Sequence, residues 1–328
     1  MTLDAINPLA PVSLDDVRSA ASRIADLAMR TPLIQLHDVD AACTMHCKLE
    51  ILQPIGSFKI RGAASAMRTM SSAELAEGVC TASAGNMAQG VAWCARELGV
   101  SARILVPEAA PAAKTDAIER MGAAVIRAPY AHWWRTIETH ESPLLSGAFV
   151  HPVADARVVA GNGTIGLEIL EDLPDVDAIL VPFGGGGLAS GIACAAKAIK
   201  PDVKVYACEV ETAAPLAASL QADRPVAIER TPSFVDGIGG ASVLPRMWPM
   251  VRDVLDGSLV VSLEEVASAI RLLASRARVV AEGAGAVCVA AAFKHMRDGE
   301  RVACVVSGGN IDSAVLGEIL QQHHTASM

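Results

Sequence analysis

From Ala178 to Ala196 the chain carries no charged residue, a length that would serve to cross a bilayer. The stretch also holds Pro182 and four consecutive glycines, Gly184, Gly185, Gly186 and Gly187, and a helix with four adjacent glycines loses too much backbone entropy to be stable. An apolar strand at Ala178 to Val181, a glycine loop and an Ala-rich helix account for every residue instead. This strand-loop-helix unit is the element from which parallel sheets covered by helices are assembled.

The rest of the chain repeats the unit. An acidic helix is expected over Leu14 to Met29, capped by Ser13 with Asp15 and Asp16 in its first turn. Short strands follow at Thr31 to Leu36 and Thr44 to Glu50, and a helix begins near Ser57 or Lys59. Strands at Val79 to Ala82, Arg103 to Val106 and Ala123 to Arg127 alternate with helices at Met87 to Leu98 and Ala112 to Met121. The second half places strands near Ala178, Lys204 and Val302, with helices near Gly163, Ser190, Ser262 and Gly283. No Pro-, Gly- or Ser-rich linker divides the halves, so two α/β layers with a cleft between them are expected. Open α/β sheets bind ligands at the carboxyl ends of their strands, which directs attention to the loops after Ala82, Val181 and Val306.

Composition narrows the function. The 328 residues are 52% hydrophobic and 19% charged, which excludes disorder, and their net charge of −9 disfavours nucleic-acid binding, which draws on Lys and Arg. The first residues lack a basic segment ahead of an apolar one, so no secretion signal is expected and the cytoplasm is the default. Eight scattered cysteines without a CxxC pair suit buried thiols better than disulfides or zinc. His46, beside Cys43 and Cys47, is the one grouping that hints at a metal, and a chance neighbourhood explains it better.

Four loops carry chemistry. In Gly56-Ser-Phe58-Lys59 a lysine opens a helix, where partial burial would lower its pKa and make it a nucleophile or base; a surface lysine is the plain alternative. The Gly184 to Gly187 run with Leu188 is built to wrap an anion at a helix N-terminus. It lacks the spacing of a P-loop or of GxGxxG, leaving nucleotide binding as a second reading. Ser83-Ala84-Gly85-Asn86-Met87 is another strand-to-helix junction, suited to a carboxylate. Ser307-Gly-Gly-Asn310 follows an apolar strand and offers a neutral hydroxyl to a ring nitrogen, or is a simple turn.

Taken in this order, Gly56-Ser-Phe-Lys59, Ser83-Ala-Gly-Asn86, the tetraglycine and Ser307-Gly-Gly-Asn310 resemble the fold type II pyridoxal-phosphate enzymes, specifically the threonine/serine dehydratase and serine racemase branch. Glu50, Gln53, the stretch His151-Pro152 through Ile165, Val235-Asp-Gly-Ile238 and Glu282-Gly-Ala-Gly285 extend the resemblance over most of the chain. It implies a tryptophan synthase β-subunit-like α/β fold, with a large cofactor-binding domain of residues 1–66 and 148–328 and a small domain, 67–147, inserted in it. It implies that Lys59 binds pyridoxal 5'-phosphate covalently and removes the α-proton of an amino-acid substrate. By the same resemblance Phe58 lies against the ring, Asn86 contacts its phenolic oxygen, Gly184, Gly185, Gly186, Gly187 and Leu188 hold the phosphate, and Ser307 meets the pyridine nitrogen. Ser83, Ala84, Gly85, Asn86 and Met87 receive the substrate. The expected reaction is loss of water from a β-hydroxy-α-amino acid of threonine or serine type, with phenylserine and 3-hydroxyaspartate as further options, giving a 2-oxo acid and ammonia. A homodimer or homotetramer is the expected assembly.

Departures from the branch qualify these expectations. Ala84 stands where racemases place a second serine base, which disfavours racemisation. Met87 replaces the usual His and Asn162 the usual Gln, which points to an altered substrate side chain. Glu209 matches the first acid of a divalent-cation site, but Pro215 occupies the second place, so no metal is expected. No regulatory domain is expected after the helix Asp312 to Gln322. Tyr130, Trp133 and Trp134 form the one aromatic cluster, either a small-domain core or oligomer contact, or the wall of an apolar substrate pocket. β-Replacement within the same fold and a non-catalytic phosphate-binding protein are the competing readings.

Overall fold

A computed structural model describes residues 7–37 and 39–322; the segment 1–6, on which the expectation about secretion rests, lies outside them. Ten strands form two sheets. β1 (Leu33–Gln35), β2 (Thr44–Leu49), β7 (Ala178–Pro182), β8 (Lys204–Val210), β9 (Gly257–Val261) and β10 (Arg301–Val306) make a six-stranded sheet in the order β1-β2-β10-β7-β8-β9. β3 (Val79–Ala82), β4 (Ala102–Pro107), β5 (Ala124–Ala128) and β6 (Ala148–Phe149) make a four-stranded sheet in the order β5-β4-β3-β6. All pairs are parallel except β1 with β2, where Ile34 faces Cys47.

The large sheet is covered on both faces, which is why its central strands read as unbroken apolar runs. Alternation along each strand sorts the side chains between two cores. Ile179, Val181, Val205, Ala303 and Val305 pack under the helices Ala156–Asp172 and Gly187–Ile199. Leu180, Cys208, Val302, Cys304 and Val306 pack under Leu263–Leu272 and Gly283–His295. All eight cysteines are free and seven are buried. Burial pushes the Cys47 thiol up to about 12. Cys47 faces the core while its neighbour His46 is only half-buried, because successive strand residues point to opposite faces.

The stretch Ala178 to Ala196 is the strand, loop and helix its glycines require, and among the described residues no helix is long and apolar enough to cross a membrane. The first helix is shorter than its amphipathic pattern, ending at Ile24. Both Leu27 and Ala28 then donate their amides to the Ile24 carbonyl and turn into the core. The strand expected at Thr31 to Leu36 shrinks to Leu33–Gln35, and the one at Thr44 to Glu50 gives way to a 3-10 turn at Glu50–Leu52. Elements that the periodicity does not announce are β6, β9 and the helices Ser72–Ala76, Tyr130–Thr139, Pro215–Ala222 and Trp248–Val254. They are short, and two of the helices contain Pro in the first turn.

Candidate active site

Loops at the carboxyl ends of β3 and β7 meet the start of the helix Lys59–Met67 at a cavity of about 420 Å³. Phe58, Lys59, the whole of Ser83 to Met87 and all of Gly184 to Leu188 line it, so residues far apart in the chain share one site. A larger hollow of about 720 Å³ lies elsewhere, between Leu263–Leu272 and Gly283–His295. No strand-end loop reaches it, and convergent chemistry rather than volume identifies the first cavity.

Lys59 is held from below. Its Nζ donates to the Pro152 carbonyl at 3.1 Å and sits 5.1 Å from the centre of the Phe58 ring. Removal from water lowers its pKa to about 8, against the opposing pull of Glu282, so a sizeable fraction of the amine is neutral near physiological pH. Two residues on, the buried Arg61 guanidinium donates to both Glu50 oxygens at 2.8 Å and to both Glu168 oxygens at 2.6 and 2.8 Å. Lys48 joins through Glu168 at 2.6 Å. Burial alone would raise the Glu50 carboxyl, but the Arg61 charge and hydrogen bonds hold it below the usual range. This paired network fixes the lysine-bearing helix to its neighbours.

Two helix N-termini open into the cavity, and neither has a side-chain cap. Asn86–Glu97 follows Gly85, and Gly187–Ile199 follows Gly186 at φ +93°. Three helices elsewhere differ: Leu14–Ile24, Ser72–Ala76 and Leu263–Leu272 each begin with a serine capping box. Because the first N–H groups of a helix lack intrahelical acceptors, glycine caps leave donors and the positive dipole end to an anion at both places. At Gly185 a Cβ would lie 2.5 Å from the Val153 side chain, so the loop follows a path that a larger residue would displace.

Asn86 is not free-standing. Its Nδ2 donates to Glu282 Oε1 at 2.9 Å, and its Oδ1 accepts from Asn310 Nδ2 at 2.8 Å. Burial, reinforced by Asp236, pushes the Glu282 carboxyl up to about 7, against the Asn86 hydrogen bond. Glu282 lines the cavity, and sequence reasoning noted it without giving it a role. A lone carboxylate inside the run Val279-Val-Ala-Glu-Gly-Ala-Gly285 was the available signal. Ser307 does not line the cavity. It is buried behind Phe58, whose amide its carbonyl accepts at 3.0 Å, and its hydroxyl donates to the Ala284 carbonyl at 3.4 Å.

On the small-sheet side the wall is made of side chains. Met87 is buried there, and Tyr130, Trp133 and Trp134 of the helix Tyr130–Thr139 line the same cavity. Lys114 and Asp236 pair at 2.7 Å across its mouth, linking the helix Ala112–Arg120 to the loop ahead of Trp248–Val254. Glu209 lies apart. Its carboxylate accepts the Leu216 and Ala217 amides at 2.8 Å each and the Ser258 hydroxyl at 2.6 Å, and so caps the helix Pro215–Ala222. Burial raises its pKa.

Comparison with known proteins agrees with this geometry. A family model described as pyridoxal-phosphate dependent enzyme matches residues 24–308. The L-threonine ammonia-lyase of Thermotoga maritima is 40% identical over 95% of this chain and 79% of its own. The structure of maize serine racemase superimposes with a TM-score of 0.85 at 32% identity, covering 96% of this chain and 98% of that one. The processed form of threonine deaminase isoform 2 from Solanum lycopersicum does so with a TM-score of 0.84 at 29% identity, over 100% of this chain and 99% of that one.

Proposed function

The chain belongs to the pyridoxal-phosphate dependent enzyme family, and from that premise we propose that it is a dehydratase that removes water from a β-hydroxy-α-amino acid and yields a 2-oxo acid and ammonia. The observation that carries this reading is the meeting, in one cavity, of a lysine of lowered pKa with two glycine-capped helix N-termini.

The residues fit the cofactor. Gly184 to Leu188 offer backbone donors to a phosphate, and Lys59 offers an amine that is partly neutral at the cavity floor. When bound, pyridoxal phosphate supplies a carbonyl that takes up amines and a ring that delocalises charge from the α-carbon. The uncapped N–H groups from Asn86 onward hold the substrate carboxylate and so orient the Cα–H bond. Lys59, at the cavity floor, would serve as the base that receives the α-proton. The Glu50–Arg61–Glu168 network keeps that base at its station, and the Asn310–Asn86–Glu282 chain fixes the Asn86 amide at the cavity wall. Overall, the α-proton and the β-hydroxyl leave as water, one water is consumed in hydrolysis, and the nitrogen departs as ammonia.

Elimination is favoured over racemisation because Ala84, in the loop lining the cavity, offers no proton-transferring group on the second face. A reducing, cytoplasmic setting suits a chain whose eight cysteines are all unpaired. The test is release of 2-oxo acid and ammonia in equal amounts from a panel of β-hydroxy amino acids, with chiral analysis of residual substrate. Inversion outpacing oxo-acid release would favour the racemase reading.

A further inference from the structure

The helix Tyr130–Thr139 presents residues 130, 133 and 134 to the catalytic cavity. This i, i+3, i+4 spacing puts all three on one helix face. The chain has only four Trp, two Tyr and five Phe, and three of these aromatics stand together here. Tyr130 and Trp133 have ring centroids 5.5 Å apart, and Trp133 and Trp134 6.2 Å apart. The two tryptophans also pack on the small core formed by Ala82, Leu105, Ala128 and Ile137, so stability alone accounts for part of their burial. Tyr130 has no such role: it is 61% exposed and packs on none of the cores. A large ring held in an open cleft gains contact area when an apolar group enters beside it. Met87, in the first turn of Asn86–Glu97 and lining the cavity, adds an apolar, adaptable surface and no hydrogen-bonding ring.

Resting on the dehydratase reading, we propose that this aromatic face determines specificity and that the preferred substrates carry an aryl or similarly bulky apolar group on the hydroxyl-bearing β-carbon, in preference to the hydrogen of serine or the methyl of threonine. The balance is that of the parent reaction: the Cα–H and Cβ–OH bonds break, water leaves, hydrolysis consumes one water, and an arylpyruvate and ammonia are formed. Arg230 and Lys114 also border the cavity. A carboxylate-bearing β-substituent would turn toward them, but Lys114 is already paired with Asp236 and Arg230 donates to the Gly239 carbonyl at 3.4 Å.

The experiment compares kcat/KM for 3-phenylserine (both diastereomers), threonine, serine and 3-hydroxyaspartate in the holoenzyme, beside calorimetric binding of L-phenylalanine and L-2-aminobutyrate, which have no hydroxyl to lose. Phenylserine is expected to exceed threonine by about tenfold or more, and phenylalanine to bind more tightly than 2-aminobutyrate by a similar factor. Trp134→Ala and Tyr130→Ala should each reduce both ratios several-fold, and Trp134→Phe should restore most of the loss. Tyr130→Ala leaves the small core intact, so it decides the matter if the tryptophan variant fails to fold. Threonine or serine equal to phenylserine, or 3-hydroxyaspartate above all, would overturn the aromatic assignment and leave the dehydratase reading standing. No oxo acid from any of the four would instead remove the dehydratase reading itself.

Discussion

The two walls of the cavity are built from different materials. The wall formed by the large sheet is largely backbone, the Gly184 to Gly187 loop and a helix N-terminus, joined by side chains that include Lys59, Phe58 and Glu282. The small-sheet wall joins an uncapped helix N-terminus to the side chains of Met87, Tyr130, Trp133 and Trp134. On the proposed function, backbone donors recognise a phosphate whatever the substrate, and the first wall sets the chemistry. Side chains exclude or welcome shapes, so the second sets the choice of substrate. Function is thereby divided between a generic surface and a particular one.

Changes to the first wall should abolish or weaken all reactions alike. The largest effect is expected for Lys59→Ala, which on the proposed function removes both the cofactor's attachment and the α-proton base; kcat on every substrate should fall by on the order of 10³-fold or more, measured as oxo-acid release. Gly185→Ala comes next. The added methyl meets Val153 at 2.5 Å, the loop must shift, and cofactor affinity, read by titration of the cofactor-free protein, should weaken by about ten- to a hundredfold. The ratio of rates between substrates should stay constant, and a changed ratio would break the division between the walls.

A third measurement follows protons. Burial lowers Lys59 to about 8, and only the neutral amine attacks a carbonyl. Capture of pyridoxal phosphate by the cofactor-free protein should therefore accelerate about tenfold from pH 7 to pH 9 and then level off. An ordinary lysine would keep accelerating toward its usual pKa near 10.4, so a continued rise would show an amine exposed to water. The smallest effect is expected from a chelator. Glu209 commits its carboxylate to the Leu216 and Ala217 amides and the Ser258 hydroxyl, and EDTA should change kcat and Tm little. A loss restored by magnesium or calcium would show a cation site completed by other groups.

Sequence and structure agree most closely where recognition is local. The glycine loop, Lys59 and the Ser83 to Met87 junction each lie within a few residues, and their placement at strand ends follows from parallel topology. The second wall depends on distant pairings. Asn86 meets Glu282 across 196 positions, and no periodicity links them. The helix Tyr130–Thr139 begins after Pro129 without a side-chain cap, so no start signal announces it, and its aromatic face acquires meaning only when packed over β3 and β4. Arg61 shows a further limit. Nothing in its own segment supplies a partner, but Glu50 and Glu168, brought in from other elements, balance its charge and let it be buried.

The most direct test of the account is to locate the cofactor covalently. Borohydride treatment of the holoenzyme, followed by proteolysis and mass analysis, fixes pyridoxal phosphate as a secondary amine on the lysine that holds it. One stoichiometric label is predicted, on Lys59, and its loss in Lys59→Ala. A label on another lysine such as Lys114, or no label in a protein that still releases oxo acid, would contradict it.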